Sequence, residues 1–248
     1  MHLAQLTFQQ NDAILDEEDA RDKYVARQLF RRLASSGRLA IGFDAEKEHD
    51  SESIFRLYSE DLRPSNVLID KDLHVVGVID WEFAYVAAAQ FSFDPPWWLL
   101  LMSPDYWPDG YISWMEAYEP RLNTFLSVLE QEEKKMPRKA TGERPLPNGR
   151  DVPLSKRMRE RWESQSWMIN YAARNSWAFD FLFWRFLDPN FLGHNEDGEH
   201  RARLHLLTEE QIGAMEAFVK MKIERLKDRT LVEWDHDSAV AQMARFMI

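Results

Sequence analysis

No cysteine occurs among the 248 residues, which excludes disulfides and thiolate metal sites and agrees with a reducing compartment. Long apolar runs are also missing. The longest, Trp97 to Met102, is far too short to cross a bilayer. The N-terminal stretch MHLAQLTFQQND has no cationic segment followed by an apolar one, so no secretory signal is visible. These absences together predict a soluble, cytoplasmic protein without membrane partners. Basic residues are outnumbered, at 31 Lys and Arg against 42 Asp and Glu, for a net charge of −11. Such a balance disfavours broad nucleic-acid binding, which needs a basic surface. It would suit a cationic small substrate, although an acidic surface serves solubility equally well.

What is present argues for a packed core. Hydrophobic residues make up 45% of the chain, with ten Trp and fifteen Phe, so wholesale disorder is excluded. Glu17 to Ser35 reads as a helix. Ala26, Leu29, Phe30 and Leu33 recur at helical spacing, Asp16 can cap the start and Gly37 the end. Gly42 to Ser53 reads as an acidic loop. Val67–Ile69 and Val75–Ile79 are short and β-branched around Asp70-Lys71-Asp72-Leu73, which predicts a β-hairpin and the one clear β element. Almost everything after it has helical character: a turn after Pro95-Pro96, a helix over Gly110–Glu132 interrupted at Pro120, aromatic-rich helices over Arg161–Leu187, and a helix over Glu209–Leu226. The expected fold is thus mainly α with a small β-hairpin.

Residues 134–160 break that pattern. Together with Arg161 they hold four Pro, two Gly and ten Lys or Arg against three acids. Without an apolar face or interleaved aromatics, this stretch is expected to be a basic loop insertion between helices.

The chemistry concentrates in SEDLRPSNVLIDKDLHVVGVIDWEF, Ser59 to Phe83. Asn66 and Asp80 lie symmetrically about position 73. A hairpin of symmetric register sets them side by side at its open end, where facing Cα atoms are about 4.5–5.5 Å apart. An amide oxygen beside a carboxylate suits Mg²⁺, which takes one or two protein oxygens plus substrate phosphates. Asp61 lies five residues before Asn66, across a loop containing Pro64, and can fold back over the same spot as a hydroxyl-activating base. Each residue alone is also an ordinary turn or cap residue. Their joint register favours the functional reading.

Asp61-Leu62-Arg63-Pro64-Ser65-Asn66 matches the D-L-x-x-x-N catalytic loop of protein kinases, with Asp80 where the metal-binding Asp would follow. The form DLRPSNVLID…GVIDWEF, with QFSFDPPWWLLL downstream, more closely resembles the aminoglycoside phosphotransferase and choline kinase-like family, fungal type. The resemblance spans the whole chain, 1–248, as a single kinase-like C-terminal lobe. It implies ATP- and Mg²⁺-dependent phosphorylation of a hydroxyl on a small molecule. Asp61 would be the catalytic base, Asn66 and Asp80 the metal ligands, and Ser59 and Glu82 supporting residues. Ser59 departs from the family's usual His. The chain also departs in lacking a readable N-terminal β lobe with its glycine-rich loop and strand lysine. Gly37-Arg-Leu-Ala-Ile-Gly42 lacks a Lys-Ser/Thr ending and follows a helix, so it is rejected as a phosphate loop. On the kinase reading, this chain alone is expected to be weak or inactive unless an N-terminal lobe or a partner chain completes it. Two further readings are a non-catalytic remnant or pseudo-kinase lobe acting as a binding module for a ligand or another chain, and hydrolysis by the Asp61–Asp80 carboxylate pair.

Overall fold

The computed structural model describes residues 2–39, 55–135, 152–228 and 234–248. The expected acidic loop over Gly42–Ser53 and the middle of the basic stretch lie outside the described residues. Nine α-helices are described: α1 (His2–Phe8), α2 (Glu17–Ser35), α3 (Gly110–Lys135), α4 (Leu154–Glu163), α5 (Trp167–Arg174), α6 (Phe179–Leu182), α7 (Asp188–Leu192), α8 (Glu209–Asp228) and α9 (His236–Phe246). Four short strands accompany them: β1 (Phe55–Ser59), β2 (Val67–Ile69), β3 (Val75–Val78) and β4 (Ala84–Ala88). The fold is therefore mainly helical with little sheet, as the sequence predicts. No described helix is long and apolar enough to cross a membrane.

Contacts divide the chain into two compact units, Met1–Ile41 with Tyr171–Ile248, and Gly42–Asn170. In the first unit α2 begins as its sequence directs: the Asp16 carboxylate accepts from Asp19 N at 2.9 Å, and Glu17, Glu18 and Asp19 fill the first turn. Ala26, Leu29 and Leu33 are buried, and α2 packs on α8, where Tyr24 lies 5.1 Å from Phe218; the buried face of α8 includes Met215, Phe218 and Val219. Lys222 on the same face is fully buried. It donates to Leu6 O (2.7 Å), Gln9 O (2.8 Å) and Asn11 Oδ1 (2.6 Å), tying the N-terminal segment to α8. Most buried polar groups in proteins are paired in this way.

The same unit holds a buried imidazole. His2 packs at 4.6 Å on the Phe179 ring, near the ion pair that Arg27 makes with Asp180. Burial, reinforced by the Arg27 guanidinium, pushes the His2 imidazole down to about 4, with Asp180 opposing. An unfolded histidine takes up its proton near pH 6.5. Between these values the unfolded chain binds a proton that the folded chain does not, so stability falls as pH drops through that window. The urea midpoint should therefore decrease from pH 7 to pH 5, and His2→Phe should flatten that decrease. Equal slopes in the two proteins would contradict the assignment.

In the second unit, α3, α4 and α5 meet around Trp114, Tyr118, Trp162 and Trp167. Trp114 and Tyr118 stack at 4.5 Å, and Trp162 and Trp167 at 5.8 Å. Two expectations are corrected here. Pro120 does not interrupt α3, which runs unbroken from Gly110 to Lys135. The buried stripe Trp114–Tyr118–Leu122–Leu126 holds the helix in place, while Pro120 is exposed, on the side where solvent can reach the carbonyl that its missing N–H leaves unpaired. The basic stretch is not a loop throughout. Lys134 and Lys135 end α3, and Leu154–Glu163 is helix α4 with Ser155, Met158, Arg161 and Trp162 buried. Met158 and Trp162 lie one turn apart, an apolar pair masked by the surrounding charges. Glu133 receives both Ser155 N (3.0 Å) and the Ser155 hydroxyl.

The hairpin forms where expected, by β2 and β3, but a second sheet is added. β1 pairs with β4 antiparallel, from Phe55↔Ala88 to Ser59↔Ala84. This ladder closes around the hairpin and brings the two ends of the motif-bearing segment together.

Candidate active site

The 59–82 segment is anchored at both ends by this β1–β4 ladder. Ser59, half-buried, is its last residue and faces Ala84. Next comes Glu60. Its N–H donates to Phe83 O at 3.4 Å, its carbonyl accepts from Trp97 Nε1 at 3.2 Å, and its carboxylate accepts from the Tyr85 hydroxyl at 2.7 Å. Glu60 thereby fixes the chain immediately before Asp61.

From Asp61 the chain turns through Leu62 and Arg63 into a 3₁₀ turn over Pro64–Asn66, with Pro at its first position. That turn buries Asn66, which is 6% exposed. Its side-chain amide donates to Asp61 O at 2.8 Å and to Asp61 Oδ2 at 3.1 Å. The fold-back of Asp61 onto Asn66 is thus present, held by two hydrogen bonds from one amide. Arg63 Nε lies 3.1 Å from Asp61 Oδ1, so the carboxylate also has a cationic neighbour. Since Asn66 spends its NH₂ on Asp61, its Oδ1 remains as acceptor, with the Ser65 hydroxyl at 3.4 Å.

Asp80 stands otherwise than symmetry predicts. Asn66 O accepts from Ile79 N at 2.9 Å, so Ile79, not Asp80, is the residue across from Asn66. The cause is the position of the turn. Asp70 N donates to His74 O at 2.9 Å and Ile69 faces Val75, so the turn is centred on Asp72 rather than on position 73. Leu68 faces Gly77, leaving Val76 extra on β3, and this bulge moves the pairing back toward Asp80 by one residue only. Asp80 therefore falls one residue beyond the pair. There the backbone enters the left-handed region at φ 64°, and Asp80 is exposed. Asp tolerates that region better than most side chains. Glu82 is likewise exposed, in the turn that Ala84 N closes onto Trp81 O at 2.9 Å. The structure therefore joins Asp61 and Asn66 directly and puts Asp80 next to Asn66's backbone partner. Among the described residues, no hydrogen bond or ion pair joins the Ser59 or Glu82 side chain to Asp61.

The turn itself is built by Asp70, whose Oδ1 accepts from Asp72 N (2.8 Å) and His74 N (2.9 Å). These bonds, the one from His74 foremost, hold the Asp70 carboxyl below its ordinary range. Asp70 is a turn former, and its carboxylate is spent locally.

Among the described residues no three His, Asp or Glu side chains gather as a metal-holding group. The donor chemistry at Asn66 and Asp80 nevertheless fits Mg²⁺, since both offer hard oxygens and the ion takes only one or two from protein when phosphates and water complete its octahedron. Glu60 and Arg63 went unnoticed in the sequence. Glu60's role depends on the β1–β4 ladder, whose strands are separated by the entire hairpin, whereas Arg63 pairs locally with Asp61 two residues before it. No protein-family model, curated protein or solved structure matches the chain.

Proposed function

We propose that the 59–82 segment is the catalytic corner of a small-molecule kinase of the aminoglycoside phosphotransferase and choline kinase-like type, acting on a hydroxyl with MgATP. The observation that carries this reading is the Asn66 amide clamping both the carboxylate and the carbonyl of Asp61. A carboxylate fixed at a loop, free of any helix or strand ladder, can accept a substrate hydroxyl proton. Asn66 Oδ1 and the Asp80 carboxylate would hold Mg²⁺, which supplies charge neutralisation at the transferring phosphate. Asp61 takes the proton, Arg63 and Asn66 orient Asp61, and Glu60 holds the loop on the ladder. Ser59 and Glu82 flank the corner as supporting residues.

The alternative is a non-catalytic binding module of the same lineage. It is favoured by one observation: strands β1 to β4 contain no lysine that could grip a triphosphate. A phosphotransfer assay with MgATP and hydroxyl-bearing amines separates the two readings, run on the wild type and on Asp61→Asn. Turnover that depends on Asp61 supports the kinase; its absence, with MgATP still bound, supports the module.

A further inference from the structure

The chain immediately before Asp61 is held by a residue far from it in sequence. The β1–β4 ladder ends at Ser59↔Ala84, and beyond it the Glu60 N–H reaches Phe83 O at only 3.4 Å. The Glu60 carbonyl accepts from Trp97 Nε1 at 3.2 Å, across 37 positions of sequence. That oxygen matters because a peptide unit is planar. Glu60 C=O and Asp61 N–H share one plane, so fixing the oxygen fixes the direction in which Asp61 leaves the ladder. From the other side the Asn66 amide grips the Asp61 carbonyl and carboxylate. One hold comes from the loop itself, the other from the segment that follows β4.

Trp97 serves as a fixed point because its own segment is pinned. Pro95 and Pro96 restrict the backbone before it, and a 3₁₀ turn runs over Trp97–Leu99. Pro96 O accepts from the Tyr118 hydroxyl at 2.7 Å. Tyr118 is 0% exposed, and its ring lies 4.5 Å from Trp114 and 4.9 Å from Trp162. Burial, and after it the Asp94 charge, raises the Tyr118 phenol above its ordinary range, so the hydroxyl keeps the proton that it donates. Trp98, one residue on, is turned otherwise. Its ring meets Phe125 of α3 edge-to-face at 5.7 Å, and among the described residues its indole makes no hydrogen bond to the corner. A continuous line thus runs through Trp162, Tyr118, Pro96, Trp97 and Glu60 to Asp61, all within the second unit.

We propose that Trp97 is a positioning residue of the Asp61 corner, carrying the rigidity of the α3–α4 aromatic core to the peptide unit that aims the Asp61 carboxylate. Only its kinetic consequence rests on the phosphotransfer reading. The test compares the full chain with Trp97→Phe, which removes the indole N–H and keeps a ring, and with Trp98→Phe, which removes an indole N–H that does not reach the corner. Hydrogen exchange read by nuclear magnetic resonance should show the Asn66 amide protons exchanging about tenfold faster in Trp97→Phe, the scale of one lost hydrogen bond. Amides of the α3–α4 core should keep their rates, and Trp98→Phe should leave Asn66 unchanged. In the phosphotransfer assay Trp97→Phe should lower kcat about tenfold while the KM for ATP stays within about twofold, because the base is misaimed and the nucleotide contacts are intact. Tyr118→Phe, which frees Pro96 O, should move both readouts in the same direction and add little to Trp97→Phe. Equal Asn66 exchange in the two Trp variants would overturn the proposal and leave an Asp61-dependent kinase standing. So would a kcat equal to that of an active wild type, with or without a raised KM. Faster exchange spread over the α3–α4 core would overturn it too, by making Trp97 a packing residue. Local acceleration at Asn66 with no turnover in any of the proteins would uphold the positioning role and remove the kinase reading.

Discussion

Replacing Asp188 with alanine should cost about 3–5 kcal/mol of stability, the range for removing one partner of a buried ion pair. Asp188 is 0% exposed. It accepts from Arg203 Nε at 2.6 Å and Nη2 at 3.0 Å, and from Asn195 Nδ2 at 3.0 Å. Arg203, itself 6% exposed, also donates to Gly193 O. The pair ties the 3₁₀ segment His200–Leu206 to α7. Alanine at 188 would strand a buried guanidinium without a counter-charge. Arg203→Met should be similarly damaging, while the double variant Asp188→Ala with Arg203→Met should lose less than the two single losses combined, because no orphaned charge remains. Urea unfolding of the four proteins measures this. A loss below about 1 kcal/mol for Asp188→Ala would place the pair among surface ion pairs, whose contributions are of that size.

Asp61→Asn should lower phosphotransfer by about 10²- to 10⁴-fold, the usual contribution of a positioned general base. Asparagine keeps the size and an oxygen to accept from Asn66, so the loop should survive while the proton acceptor is lost. Asn66→Ala acts differently. It removes both bonds that orient Asp61 and one proposed metal oxygen, so it should impair both nucleotide binding and turnover. An Asp61→Asn protein that retains wild-type turnover would remove Asp61 from the chemistry. Loss of MgATP binding in the same variant would instead make it a binding residue.

Some of this was written locally in the sequence. Asp16, three acids, an apolar stripe and Gly37 specify α2 within one stretch, and the structure agrees from cap to terminus. The β-branched pairs specify the hairpin in the same way. The β1–β4 ladder was not legible, because FRLYS and AYVAA are 24 residues apart between Ser59 and Ala84 and their pairing is set by tertiary closure. The position of Asp80 was not legible either. The spacing from Asn66 implies a turn centred on position 73, but the turn is centred on Asp72, and the extra residue Val76 makes up only part of the offset. Helix α4 was concealed by charge: Lys156, Arg157, Arg159, Glu160 and Arg161 surround the Met158–Trp162 pair that buries it. At the site, the contact between Asp61 and Asn66 followed from a short loop containing Pro64, which is a local property. The anchoring by Glu60 requires the ladder and is not.

Paramagnetic broadening by Mn²⁺ and ATP tests the proposed site most directly, because Mn²⁺ shares the oxygen-ligand preference of Mg²⁺. On the isotopically labelled full chain, amide resonances of Asp61, Asn66 and Asp80 should broaden first at sub-stoichiometric Mn²⁺, sharpen again on adding excess Mg²⁺, and stay sharp in Asp80→Asn. Broadening spread instead over exposed acids such as Asp72 and Glu130, with Asp61 to Asn66 left sharp, would contradict the assignment of this corner as a metal–phosphate site.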